Sequence, residues 1–283
     1  MNLESEPLLR VDDLSVSFPG RGFRAPRNQV LRDVSLSIRP GETLGLVGES
    51  GSGKTTIGRA VLGLVPADSG TITFEGAEIQ NASRRDRRRL SRDMQVIFQD
   101  PYTSLNPSMT VGDTLMEPLL AQGEGRHRAS ARIADLLDRV RLPRGAAGRL
   151  PREFSGGQRQ RIAIARALAL APKLIVCDEP VSALDLTTQE TVLELLIEIQ
   201  QATDVAYLFI SHDLTVVRHI SHRVAVIYRG EIIEQGDAAQ VTERPEQAYT
   251  RKLLLAAPVV DPAAQRARRE AFEREFGRTA VVR

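Results

Sequence analysis

Residues 48–55 read Gly48-Glu49-Ser50-Gly51-Ser52-Gly53-Lys54-Thr55, with Thr56 next. The spacing fits G-x-x-x-x-G-K-[ST]. Glycines there let backbone N–H groups turn inward around phosphate oxygens, and a helix N-terminus adds partial positive charge. Lys54 is placed to reach the β- and γ-phosphates of a nucleotide, and Thr55 to ligate Mg²⁺. The flanks agree: the apolar run "TLGLV" precedes the loop and the amphipathic "KTTIGRAVLGLV" follows it. A glycine-rich turn with a chance lysine would not need both.

A nucleotide site needs a second anchor for magnesium. "LIVCDEP" offers one, because four apolar residues end in Asp178 and Glu179. A buried strand would deliver Asp178 beside the loop, where it holds Mg²⁺ through water. Glu179, one step further, is placed to polarise an attacking water as a general base. The plain alternative is a helix cap or a solvated turn, but Pro180 blocks simple continuation into a helix.

"FSGGQRQR" (154–161) is a second candidate grip for an anion. Ser155 and Gln158 form an S-x-x-Q capping box ahead of an apolar run. Gly156 and Gly157 leave the first turn bare, so an anion can approach the backbone amides. On these residues alone, a γ-phosphate grip and a simple helix cap are equally good readings.

The elements that must position these residues follow from hydrophobic period and turn signals. Residues 8–18 and 34–48 read as strands, and 70–79 as a half-buried strand or hairpin. Residues 110–142 read as helical, and a further helix starts near Ser155. Strands return at 173–178 and 205–211, with a helix between them. That alternation implies βαβ units and a parallel sheet. Residues 223–236 read as a closing hairpin, and 243–258 as one short helix. The charged tail, 259–283, has few core-forming residues and is expected to be loosely held.

Composition narrows the function classes. Net charge is +2, from 38 basic and 36 acidic residues, which gives no general case for nucleic-acid binding. The basic run "SRRDRRRLSRD" (83–93) reads as a solvated helix face. The single cysteine, Cys177, rules out a disulfide within the chain and suits a reducing cytosol. No run of 18 apolar residues is present, and the acidic N-terminus lacks the apolar core of a secretory signal. Any membrane contact is expected to go through a partner.

With the phosphate loop, "FSGGQRQR" and "DEP" in this order, the chain resembles the ATP-binding subunit of ABC transporters. The resemblance covers about residues 8–258. It implies an α/β fold: a P-loop, RecA-like core, an inserted α-helical subdomain (about 100–170) and an N-terminal antiparallel β subdomain. It also implies that two such subunits pack head to tail, so that Ser155, Gly156, Gly157 and Gln158 hold the partner's ATP. Gln99 in "VIFQDP" matches the glutamine that senses metal and water. Asp185 in "SALD" matches the residue at the dimer seam. His212 in "FISHD" matches the switch histidine on the γ-phosphate. Phe18 sits where an aromatic stacks on adenine, with Phe23 its rival.

A finer resemblance is to the peptide and nickel importer subfamily, carried by residues 97–119, by "DEPVSALDLTTQ" and by "PEQAYTRKLLLAAP" (245–258). Most relatives outside it have Thr where this chain has Val181. It resembles the F-type subunit of that group. The resemblance implies Mg²⁺ and ATP, a second ATPase subunit, two membrane permease subunits and an extracytoplasmic solute-binding protein, on the cytoplasmic face of the membrane. Di- or oligopeptide is the expected cargo. Nickel, glutathione, another small solute or a phosphonate-metabolism complex are the alternatives. Some relatives carry a cysteine cluster for an iron–sulfur centre; with Cys177 alone, none is expected.

Overall fold

The computed structural model describes residues 6–20, 22 and 26–256, together with 266, 270, 272–274 and 277. The expectation for the tail, 259–283, falls mostly outside the described residues.

Two antiparallel strands open the chain, β1 (Leu9–Phe18) and β2 (Asn28–Ile38). β3 (Thr43–Val47) then runs into α1 (Lys54–Val61). β4 (Ser69–Phe74) and β5 (Ala77–Glu78) form a hairpin, followed by α2 (Arg84–Asp93) and β6 (Met94–Ile97). Four helices come next: α3 (Pro101–Ser104), α4 (Val111–Ala121), α5 (Arg126–Arg139) and α6 (Gly156–Leu168). The chain returns through β7 (Leu174–Asp178), α7 (Leu186–Thr203), β8 (Ala206–Ser211) and α8 (Leu214–Ile220). The hairpin β9 (Arg223–Tyr228) and β10 (Glu231–Asp237) leads to α9 (Ala238–Glu243) and α10 (Ala248–Ala256).

The strands make two sheets. β2-β1-β4-β5 is antiparallel throughout. The second sheet has the order β10-β9-β3-β8-β7-β6, and it is parallel except for the β9–β10 hairpin. Its central strands are apolar at nearly every position because both of its faces are covered. Alternate residues serve different cores. Leu174, Val176, Leu208 and Ile210 pack with α1 and the antiparallel sheet. Ile175, Cys177, Tyr207 and Phe209 pack with α4 through α8. Each fully buried Leu or Ile contributes about 1.5–3 kcal/mol, so the alternation pins the register of every strand.

That register positions the site. β3, β7 and β6 are all parallel to or in line with β8, so their carboxyl ends emerge on one edge of the sheet. In open α/β sheets ligands collect at that edge. β3 delivers the glycine loop there, β7 delivers Asp178, β8 delivers His212, and β6 delivers Gln99.

α2 carries the basic run and buries none of its residues, as a solvated face should. Its Ser83 cap accepts from the Asp86 amide. The sequence did not announce β6, α3, α8 or α9. β6 is four residues long and follows α2 directly, which leaves no room for a period to show. Among the described residues no helix is long and apolar enough to cross a membrane.

Candidate nucleotide site

The glycine loop closes around its own lysine. Lys54 is 5% exposed, and its Nζ donates to the carbonyl oxygens of Gly48 at 2.8 Å and Glu49 at 2.9 Å. Burial lowers the Lys54 ammonium below its ordinary value, and the carboxylates of Glu179, Asp178 and Glu49 oppose that shift. Gly53, with φ +114°, turns the chain from the loop into α1. A Cβ there would also meet Leu31 Cδ2 at 2.6 Å. α1 starts at Lys54, so the first amides of the helix have no partner within it.

Thr55 Oγ1 donates to Asp178 Oδ1 at 2.9 Å. Burial raises the Asp178 carboxyl above its usual range, the Thr55 hydrogen bond opposes this, and the neighbouring Glu179 carboxylate adds to it. A hydroxyl and a carboxylate oxygen side by side are a hard donor pair. That chemistry fits Mg²⁺, which binds through one or two carboxylates and otherwise keeps water and substrate phosphates.

Glu179 leaves β7 at φ +49°, a left-handed conformation, with its amide donating to the Ile210 carbonyl at 2.9 Å. One carboxylate oxygen, Oε2, gathers two side chains. Gln99 Nε2 donates to it at 3.2 Å, and His212 Nδ1 lies 3.2 Å away. A carboxylate only accepts, so Nδ1 carries the hydrogen and Nε2 of His212 is left free.

A cavity of about 690 Å³ is lined by the loop, from Gly48 to Thr56, and by Gln99, Glu179 and His212. Ser52 is the loop residue that does not line it; its side chain is buried. Val30 from β2 and Leu253 from α10 complete the wall. Phe18 is not part of that lining. It ends β1 at 39% exposure, paired with Asn28. Phe23 lies outside the described residues.

The signature residues stand apart from this cavity within the chain. Ser155 caps α6, accepting from the Gln158 amide at 3.3 Å, while Gln158 Oε1 accepts from the Ser155 amide at 3.0 Å. Both halves of the capping box are thus present. A Cβ on Gly156 would meet Leu184 Cδ2 and the Tyr102 hydroxyl at an ordinary 3.6 Å, but Gly157 has no such room. A Cβ there would meet Thr188 Cγ2 at 2.2 Å, so this glycine serves the packing of α6 on α7. Asp185 caps α7 and accepts from the Thr188 amide at 3.0 Å and hydroxyl at 2.7 Å. These hydrogen bonds hold its carboxyl below the ordinary range.

One contact on the loop was not foreseen from the sequence. The Tyr249 hydroxyl accepts from the Glu49 amide at 3.0 Å. Its segment reads as one short helix and as a mark of the importer subfamily, and neither reading points to the loop.

Comparisons with known proteins place the chain as a whole. The chain is 52% identical over 275 residues to the glutathione import ATP-binding protein GsiA of Escherichia coli K12, which covers 94% of this chain and 44% of the relative. GsiA of Salmonella typhimurium LT2 is 52% identical over 272 residues with the same coverage. The chain therefore spans under half the length of these relatives. Among solved structures, cbiO1 from Clostridium perfringens, part of the ABC transporter complex cbiONQ, superposes with a TM-score of 0.75 at 25% identity, covering 85% of this chain and 93% of that one. The ATP-binding cassette MJ0796, a dimer in a post-hydrolysis state bound to ADP and Pi, gives 0.72 at 26% identity, covering 81% and 98%. The ABC transporter family model matches residues 31–182, more than half of the chain, and the chain belongs to that family.

Proposed function

We propose that the chain is the ATP-binding and ATP-hydrolysing subunit of an ABC importer. The observation that carries this reading is the convergence of Gln99 and His212 on Glu179 Oε2, on the wall of the cavity formed by the glycine loop. The backbone amides of the loop and the Lys54 ammonium hold the β- and γ-phosphates. Thr55 and Asp178 hold Mg²⁺, with Gln99 beside it; the ion when bound neutralises phosphate charge. Glu179 takes a proton from the attacking water, and the γ-phosphate leaves ADP as inorganic phosphate. Gln99 and His212 aim that carboxylate, and His212 contacts the γ-phosphate from the other edge of its ring. Phe18, at the exposed end of β1, stacks on adenine.

Residues 8–258 form the cassette, with about 100–170 as its helical subdomain and 237–258 as a C-terminal segment. The capped start of α6 lies off the cavity of its own chain, so Ser155, Gly156, Gly157 and Gln158 serve the site of a second ATPase subunit, with Asp185 at the seam. Two permease subunits and an extracytoplasmic binding protein complete the importer, with this subunit on the cytoplasmic side of the membrane. The cargo is a small peptide. The 52% identity to proteins named for glutathione import supports that class, glutathione included.

The test is sedimentation of the Glu179→Gln protein with and without Mg-ATP. ATP is expected to bind without turnover and to convert monomer into dimer. Near wild-type hydrolysis in this variant would remove Glu179 as the base. ATP binding without dimerisation would assign the second half to a different chain.

A further inference from the structure

The last two helices do not simply cover the sheet edge. Glu234 in β10 is buried, at 8% exposure, and both of its carboxylate oxygens accept hydrogen bonds at the start of α10. One oxygen accepts from the Glu246 amide at 2.8 Å. The other accepts from the Gln247 amide at 3.1 Å and the Thr250 hydroxyl at 2.5 Å. Thr250 is wholly buried. A buried carboxylate without such donors would be costly, so this cluster fixes where α10 begins.

From that anchor α10 presents one face to the nucleotide site. Tyr249, Lys252 and Leu253 stand at i, i+3 and i+4, the spacing of one helical face. Tyr249 packs its ring on Tyr228, with centroids 4.2 Å apart, and its hydroxyl accepts the Glu49 amide. Lys252 Nζ lies 4.0 Å from Glu49 Oε1. Leu253 lines the cavity itself. Glu49 is therefore held through both its backbone and its side chain. Its carbonyl in turn accepts from Lys54 and from the Ser52 amide. Burial pushes the Tyr249 phenol up to about 12, so it stays a neutral hydroxyl across the physiological range.

We propose that Tyr249 is a positioning residue for the phosphate-binding loop, fixing the Glu49 amide and coupling nucleotide occupancy to the C-terminal helix α10. This rests on reading the cavity as the ATP site. The coupling is reciprocal: what orders the loop must also order α10.

Tyr249→Phe deletes the hydroxyl and keeps the ring on Tyr228. In the full chain, Mg-ATP affinity is expected to fall about two- to tenfold, the worth of one hydrogen bond. The larger part should appear in KM rather than kcat, with thermal unfolding little moved. Hydrogen exchange gives a readout that a merely structural role would not move. In the wild-type protein, Mg-ATP is expected to slow exchange across 246–253, and Tyr249→Phe should lose that response. Wild-type affinity combined with unchanged Tyr249→Phe affinity and an unresponsive 246–253 segment overturns this proposal alone. A wild-type chain that binds no ATP overturns the nucleotide reading and this proposal with it.

Discussion

Thr55 and Asp178, 123 positions apart in the chain, meet at 2.9 Å through the Thr55 hydroxyl and one oxygen of Asp178. Only one strand, β8, separates the strands that deliver them. The fold accepts a half-buried carboxylate here, and desolvation raises the Asp178 pKa. In Asp178→Asn that desolvation cost is gone, while an amide oxygen still accepts from Thr55. The sign follows from the raised pKa. The native state holds the Asp178 proton more tightly than the unfolded chain, so wild-type stability from this group is present at low pH. It is lost as pH rises through the native pKa. Asp178→Asn is therefore expected to match wild type in acid and to exceed it at neutral pH, without Mg-dependent ATP turnover. Urea unfolding of the two proteins across that pH range checks this. A variant less stable than wild type at neutral pH sinks it.

Gln99 and His212 share a single acceptor atom, Glu179 Oε2. Two donors aiming one carboxylate act as a unit. Each single change to alanine should slow turnover, and the double change should cost less than the sum. A coupling of about 0.5–3 kcal/mol is expected in the cycle, measured on kcat. Strict additivity would mean that the two side chains act on different groups.

Lys54 donates to the carbonyls of two consecutive loop residues, Gly48 and Glu49. Lys54→Ala removes both hydrogen bonds and the positive charge. ATP affinity is expected to fall about ten- to a hundredfold, the range for charge-assisted hydrogen bonds. Calorimetry with Mg-ATP measures it, and unchanged affinity would remove the loop as the phosphate grip.

The sequence made some of this legible and hid the rest for physical reasons. The loop from Gly48 to Thr55 and the Asp178–Glu179 pair are local patterns on strand ends, so spacing alone placed them. Gln99 and His212 are ordinary residues singly; they gain meaning when the sheet order sets β6 and β8 on either side of β7. The hydrogen bond from Glu49 to Tyr249 joins positions 200 residues apart, and no local period foreshadows it. Gly157 was legible as a bare amide near an anion grip, yet its tightest constraint is the methyl group of Thr188 on another helix. A glycine reports that something comes close, and the sequence does not say what.

That last contact makes a sharp prediction. An alanine methyl at 157 would sit 2.2 Å from Thr188 Cγ2, but 3.6 Å from Thr188 Cβ and 3.8 Å from its hydroxyl oxygen. The clash is therefore with one methyl group. Thr188 cannot rotate away freely, because its hydroxyl is bound to Asp185 at 2.7 Å and its amide to the same carboxylate. Gly157→Ala is expected to destabilise the protein by about 1–3 kcal/mol, as overpacking does. Thr188→Ser deletes the offending methyl and keeps the hydroxyl for Asp185. Added to Gly157→Ala, it should restore most of the lost stability, although alone it should be neutral or slightly destabilising. Thermal unfolding of the four proteins closes the cycle. If Thr188→Ser gives no rescue, the constraint on position 157 is the helix start itself rather than its packing on α7.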